Sequence, residues 1–193
     1  ARLHTNKLVV NEYVKLPFFE RRENQLITFG SAVYNEGAWD YVLGIRDEGP
    51  KRSCTLARVP KGRLGLPGVW RFWNGEKWVK DPWQAAALFV GASMESSLHR
   101  TRDGGYLYVG SVDTTGEIVA RYAPYLTGPW TERTKVYQAP QVKGNVIAYN
   151  AKAHPQLSLD GRILVSYNVN TTSLERVVEE ADIYRPRFVW WTP

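Results

Sequence analysis

The chain has 193 residues, a formal charge of +6 and 44% hydrophobic residues, which suits one globular domain and excludes disordered and fibrous classes. Eleven Tyr, eight Trp and six Phe, with 16 Gly and 11 Pro, break the chain too often for long helices and favour an all-β class. No apolar run approaches the roughly 18 residues that span a bilayer, so no membrane partner is predicted.

In chain order, Ala1 follows no initiator Met, which predicts an upstream piece such as a signal peptide. The stretch 7–14 reads as a strand without a repeat partner, suited to a neighbouring unit or to closing a ring, and Pro17 with Glu20–Asn24 reads as a connector. Strands then follow at Ile27–Val33, Trp39–Ile45 and Ser53–Val59, with a fourth over Val69–Trp73 and Glu76–Val79. The pattern returns at Ser93–Leu98, Gly105–Ser111, Glu117–Ala123 and Thr134–Tyr137, and again at Ala148–His154 and Arg162–Asn168. Its hairpin turns are Asn35-Glu36-Gly37, Asp103-Gly104-Gly105 and Asp160-Gly161, the Asn/Asp-Gly type that accepts positive φ without a steric penalty. The third unit departs from the pattern. Thr172-Ser173-Leu174-Glu175 reads as a capping box opening a short helix through Val177 and Val178, before a last strand over Ile183–Trp190.

Small-residue first strands followed by aromatic strands, at a period of about 60 residues, describe β-propeller blades. The units are predicted at 26–80, 92–138 and 146–193, about three four-stranded blades. A five-bladed ring needs roughly 300 residues at that period, so completion by a partner chain, a second copy or a missing N-terminal part is expected.

Cys54 stands alone and reads as a buried structural thiol. There is no phosphate loop, paired-Cys metal spacing or nucleophile elbow. A nucleic-acid partner is set aside, because the basic residues are scattered and the Trp residues occupy packing positions. What remains is positional. Glu95 alternates with Ser93 and Ser97 on a first strand, where a partly desolvated carboxylate could protonate a leaving glycosidic oxygen; an ion-paired or solvated residue is the alternative. His154 shares a strand face with Asn150 and Lys152, three polar side chains that could line an axial pocket and bind sugar hydroxyls. Asp40 is a candidate second carboxylate, with blade packing as the competing role, and Arg187 beside Pro186 could clamp a substrate carboxylate or pair with Glu175, Glu179 or Glu180. Trp70, Trp73, Trp78 and Trp83 could stack on sugar rings, although core packing is the expected role for most of them.

The strings Gly30-Ser31-Ala32-Val33, Gly128-Pro129-Trp130, Tyr149-Asn150-Ala151-Lys152-Ala153-His154-Pro155, Leu164-Val165-Ser166-Tyr167-Asn168 and Tyr184-Arg185-Pro186-Arg187-Phe188 resemble bacterial, mostly actinobacterial, secreted domains. Those domains are akin to five-bladed β-propeller glycoside hydrolases, and some relatives are endo-acting arabinanases. The resemblance implies a secreted carbohydrate-active propeller acting on a polysaccharide such as arabinan, with Glu95 as general acid and His154 as the axial His of a late blade. It requires no cofactor and leaves room for an axial calcium ion. The Ile27–Val33 strand carries no carboxylate to serve as base, so the competing expectation is a non-catalytic, lectin-like carbohydrate-binding propeller.

Overall fold

A computed structural model describes residues 2–4, 9–12 and 19–193 of the chain. Its strands are β1 (Arg2–His4), β2 (Val9–Glu12), β3 (Phe19–Arg22), β4 (Gln25–Glu36), β5 (Trp39–Asp47), β6 (Arg52–Pro60), β7 (Arg71–Trp73), β8 (Trp78–Val79), β9 (Phe89–Val90), β10 (Ser96–Arg100), β11 (Tyr106–Ser111), β12 (Glu117–Ala123), β13 (Thr134–Gln138), β14 (Val146–Leu159), β15 (Arg162–Thr171) and β16 (Pro186–Trp191). The fold is all-β, and every pair within its sheets is antiparallel.

The first sheet runs β3-β4-β5-β6-β7-β8, with β9 on the remaining part of β6; the second runs β10-β11-β12-β13 and the third β14-β15-β16. Four strands per unit therefore describe only the second sheet. The polar stretch at Glu20–Asn24 is not a connector: Phe19–Arg22 is an edge strand, turned into β4 through Glu23 at φ +49°. Of the predicted strand 7–14, Val9–Glu12 pairs with β1, and the rest lies outside the described residues.

Two of the three predicted hairpin turns fall on the expected residues, whereas Asn35 and Glu36 stay in the ladder opposite Asp40 and Trp39 and the first hairpin turns at Gly37-Ala38. Asp160 and Gly161 take φ +52° and +76°, the double positive φ of a two-residue turn that matches strand twist, and Gly37 and Gly104 close the other two hairpins at +56° and +90°. The inserted helix α1 spans Leu174–Glu179. Its cap is Ser173, one residue later than the capping-box reading, and the Ser173 hydroxyl accepts from the Arg176 N–H at 3.4 Å.

The sheets stack face to face. Leu43, Ile45 and Leu56 of the first sheet pack against Leu98, Tyr106 and Tyr108 of the second, while Leu107, Val109 and Ile118 pack against Ala151, Ala153 and Val165 of the third. The far side of the first sheet is closed by its own chain, where Trp70 and Phe72 cover Ile27, Val42 and Val59. Cys54 is fully buried in this core, and burial pushes its thiol far up, which makes it inert.

Asp40, a sequence candidate for substrate contact, belongs to this framework instead. It is 3% exposed; one carboxylate oxygen accepts from the Asn35 amide at 2.7 Å and the other from the Gly62 N–H at 2.9 Å. Asp40→Ala leaves both donors without an acceptor and should cost about 1–3 kcal/mol in chemical denaturation with ligand binding unchanged. A stable variant that no longer binds ligand would return Asp40 to the site.

Candidate functional site

One strand from each of the three sheets, β4, β10 and β14, meets the next along one line, where serine and histidine side chains bond one strand to another. The Ser97 hydroxyl accepts from the Ala153 N–H at 2.9 Å, and the Ser111 hydroxyl, at the end of β11, from the Ala151 N–H at 3.1 Å. Ser96 Oγ donates to the Ser31 carbonyl at 3.4 Å. His99 Nε2 lies 2.9 Å from the Ala153 carbonyl, which makes that nitrogen the donor. Only small side chains let the strands approach this closely, and only hydroxyl or imidazole groups among them satisfy backbone groups outside the ladders.

Two of these strands are bulged at the meeting point. In β4 the register jumps between Phe29 and Ala32, with Gly30 at φ +126°; in β14 it jumps between Tyr149 and Lys152, with Asn150 at φ +56°. Such bulges re-aim the following side chains. The result is an open cavity of about 350 Å³ lined by Gly30–Val33 of β4, Ser96–His99 of β10, and Lys152, Ala153, His154 and Gln156 of β14. Two others, each about 370 Å³, lie at the Asp103–Tyr106 turn and beside Arg100 and Arg102; neither is lined by β4, β10 and β14 together.

Of the sequence candidates, Lys152 and His154 line this cavity together. His154 Nε2 is 2.7 Å from the Ser166 hydroxyl. Asn150 does not join them. It is the bulge residue, so buried Ala148 is followed by buried Ala151 and Ala153 with a shift of phase, and the Asn150 amide oxygen is buried without a hydrogen bond among the described residues. Arg187 faces the other way: it pairs in register with Tyr167, whereas Lys152 pairs with Ser166 and Ser166 with Phe188. Its guanidinium donates to the Asp182 carbonyl at 2.7 Å and meets none of Glu175, Glu179 or Glu180 in an ion pair. Glu95 is exposed and precedes β10, which begins at Ser96 with three buried residues in succession, so the alternation read from sequence does not apply. The Trp cluster is mostly packing. Trp70 is buried against Phe72, Trp73 and Trp78 lean on each other, and Trp83 donates to Glu20 at 2.9 Å.

His99, Ser31 and Gln156 were not singled out in the sequence. The available signal was Ser97 and His99 at alternate positions of one short strand, but their role depends on β14 docking beside them. Among the described residues, none that lines the cavity is acidic. Glu36, at the far end of β4, is ion-paired to Arg100 and accepts from the Tyr106 hydroxyl at 2.9 Å; burial, with Glu36 next, pushes that phenol up to about 12. Among the described residues no three His, Cys, Asp or Glu side chains converge as metal ligands, so the axial calcium ion has no such ligand set there.

Burial holds the His99 imidazole below its ordinary value of 6.5, and neighbouring His154 adds to the effect. Folded His99 therefore stays neutral while the unfolded chain takes up a proton near pH 6.5. Its contribution to stability is full above that pH and is lost as pH falls towards the lower folded value. His99→Gln keeps a donor for the Ala153 carbonyl and should flatten this part of the pH dependence, read from urea midpoints at pH 7.5 and 5.5. An unchanged pH slope in the variant would show that His99 is not the titrating group.

In solved structures, a Bacteroides ovatus protein described as a "putative hydrolase" superposes with a TM-score of 0.67 at 18% identity, over 85% of this chain and 44% of its own. At that identity the likeness establishes the fold. Among curated relatives, notoamide biosynthesis cluster protein J of an Aspergillus species is 29% identical over 158 residues, 77% of this chain and 41% of its own length. Protein J' of Aspergillus versicolor is 31% identical over 126 residues, 62% of this chain and 33% of its own. The chain thus spans less than half the length of each of these proteins. The match of residues 3–192 to the family described as "Domain of unknown function (DUF5005)" shows that the chain belongs to that family.

Proposed function

We propose that the chain is part of a secreted, carbohydrate-active β-propeller of hydrolase type, and that the cavity between β4, β10 and β14 holds a terminal sugar of its glycan. The observation that carries this reading is the convergence of β4, β10 and β14, one strand from each of three stacked sheets, on one polar cavity lined by Ser31, His99, Lys152, His154 and Gln156. A volume of about 350 Å³ lies at the lower end of ligand sites and suits a chain end. The described lining carries no acid, so it contributes binding; for bond cleavage, exposed Glu95 at the approach to β10 is the general acid from this chain, and the second carboxylate comes from the rest of the assembled protein. The similarity to the Bacteroides ovatus structure supports the hydrolase type.

Calorimetry of the purified chain against a glycan panel tests the binding. Removing the imidazole in His154→Ala should weaken the bound glycan about tenfold. Unchanged affinity, or no glycan bound, would overturn the assignment. For cleavage, Glu95→Gln in the full-length protein should abolish release of reducing ends, and full activity would remove Glu95 from the mechanism.

Completion of the ring belongs to the same reading. Phe188 and Trp190 are 61% and 41% exposed on β16, on the sheet face that also carries Lys152 and His154. A further sheet laid on this face would bury both aromatics and bring its own side chains to the cavity. For the 193-residue chain alone the occupant is a second copy, so sedimentation should give a dimer that Phe188→Ser with Trp190→Ser dissociates. A wild-type particle of 22.0 kDa would reject it.

A further inference from the structure

We infer that the sugar held in this cavity carries an anionic group, a carboxylate or a sulfate ester, and that Lys152 is the residue that recognises it. The inference rests on the carbohydrate reading of the cavity and adds the charge class of its ligand. Lys152 is the ammonium side chain of the described lining, which also carries the imidazoles of His99 and His154. It is half-buried, and among the described residues it has neither an ion pair nor a hydrogen bond. An ammonium at the wall of a polar cavity with no carboxylate beside it is left to pair with an anion that enters, through charge-assisted hydrogen bonds.

The surrounding groups reinforce the sign. Arg100 and Glu36 neutralise each other outside the cavity, and Arg187 points from the opposite face of the third sheet. Bulging in β14 puts Lys152 on the same face as His154, with the Ser166 hydroxyl beside both. An ammonium flanked by an imidazole and a hydroxyl can donate to a carboxylate or sulfate while leaving Gln156 for the ring hydroxyls. The formal charge of +6 assists the approach of an anion over a longer range.

The test follows NMR shifts of Lys152 and His154 in the 193-residue chain titrated separately with galacturonate, glucuronate, galactose 6-sulfate, galactose and inorganic sulfate. The acidic sugars should saturate at concentrations about tenfold lower than galactose, and Lys152→Met should remove that preference while galactose still binds. Lys152→Gln, which keeps a polar side chain, provides the same comparison should the Met variant fold poorly. Of the acidic arms, the one that saturates first distinguishes a carboxylate from a sulfate ester. Equal saturation by galactose and the acidic sugars would overturn the anionic preference and leave the carbohydrate reading standing. Binding of inorganic sulfate with no sugar bound would overturn the carbohydrate reading and keep the anion site. Shifts with none of the five would overturn both.

Discussion

Trp70→Ala is expected to cost about 3–5 kcal/mol, roughly 10 °C in Tm, as the largest single loss available in the first sheet. Trp70 is 2% exposed, stacks near-parallel on Phe72 at 6.3 Å between ring centroids and meets Phe29 edge-on at 6.1 Å. Its indole N–H donates to the Leu64 carbonyl at 3.0 Å, which fixes the path of the long connection between β6 and β7. Truncation would remove the ring, strip that carbonyl of its donor and uncover Ile27, Val42 and Val59. Two effects follow. Denaturant midpoints fall, and an apolar dye binds the exposed sheet face. Trp70→Phe, which keeps an aromatic ring and loses the indole bond, should recover most of the stability. A loss under about 1 kcal/mol in the alanine variant would show that the connection is not what closes this face.

The contrast between the two ends of the stack explains why that closure matters. At the first sheet the apolar face is sealed by residues of the same chain, whereas at the third sheet Phe188 and Trp190 are left open. Both faces are built from alternating strands, and alternation alone does not reveal which face will be covered.

The same limit governs what could be read from the residues beforehand. The Asp-Gly turns at Asp103-Gly104 and Asp160-Gly161 were legible because few other sequences accept positive φ, and Gly37 located the first hairpin although its turn lies one residue further on, at Gly37-Ala38. Strand β3 was not legible: Glu20–Arg22 is polar and lies at a sheet edge, where no buried face imposes a pattern. Bulges were invisible as well. A Gly30-Ser31 or Asn150-Ala151 pair announces no break in pairing, and yet each break reverses which side chains share a face downstream. That is why Lys152 and His154 share a face and line one cavity, while Asn150, expected on the same face, lies in the bulge and apart from them. The strand face of Glu95 was misread for a different reason. Strand β10 begins at Ser96, three residues after the predicted start at Ser93, and its first three residues are buried in succession. For Asp40 and Arg187 the competing structural roles were foreseen but not their partners, because the Gly62 N–H and the Asp182 carbonyl are backbone atoms that no side-chain pattern reveals.

Gly44→Ala should cost about 3 kcal/mol and, unlike Asp40→Ala, should also weaken ligand binding. Gly44 lies in the middle of β5, opposite Phe29 on β4 and Thr55 on β6. A Cβ added there would stand 2.5 Å from the Phe29 ring and 2.7 Å from the Thr28 carbonyl oxygen. The ring could swing, but the carbonyl belongs to the β4 backbone and cannot withdraw without opening the ladder. Phe29 is also the last paired residue before the Gly30-Ser31 bulge, so displacement of β4 here moves the cavity wall that those residues form. Gly68→Ala supplies the control, since its added Cβ would meet nothing within 4 Å, and it should change stability by less than about 0.5 kcal/mol. Urea denaturation beside the NMR titration of Lys152 separates the possibilities. Lost stability with intact binding in Gly44→Ala would mean that the bulge holds its place without Phe29, and the cavity would then be positioned by the Ser96 and Ser97 bonds between strands alone.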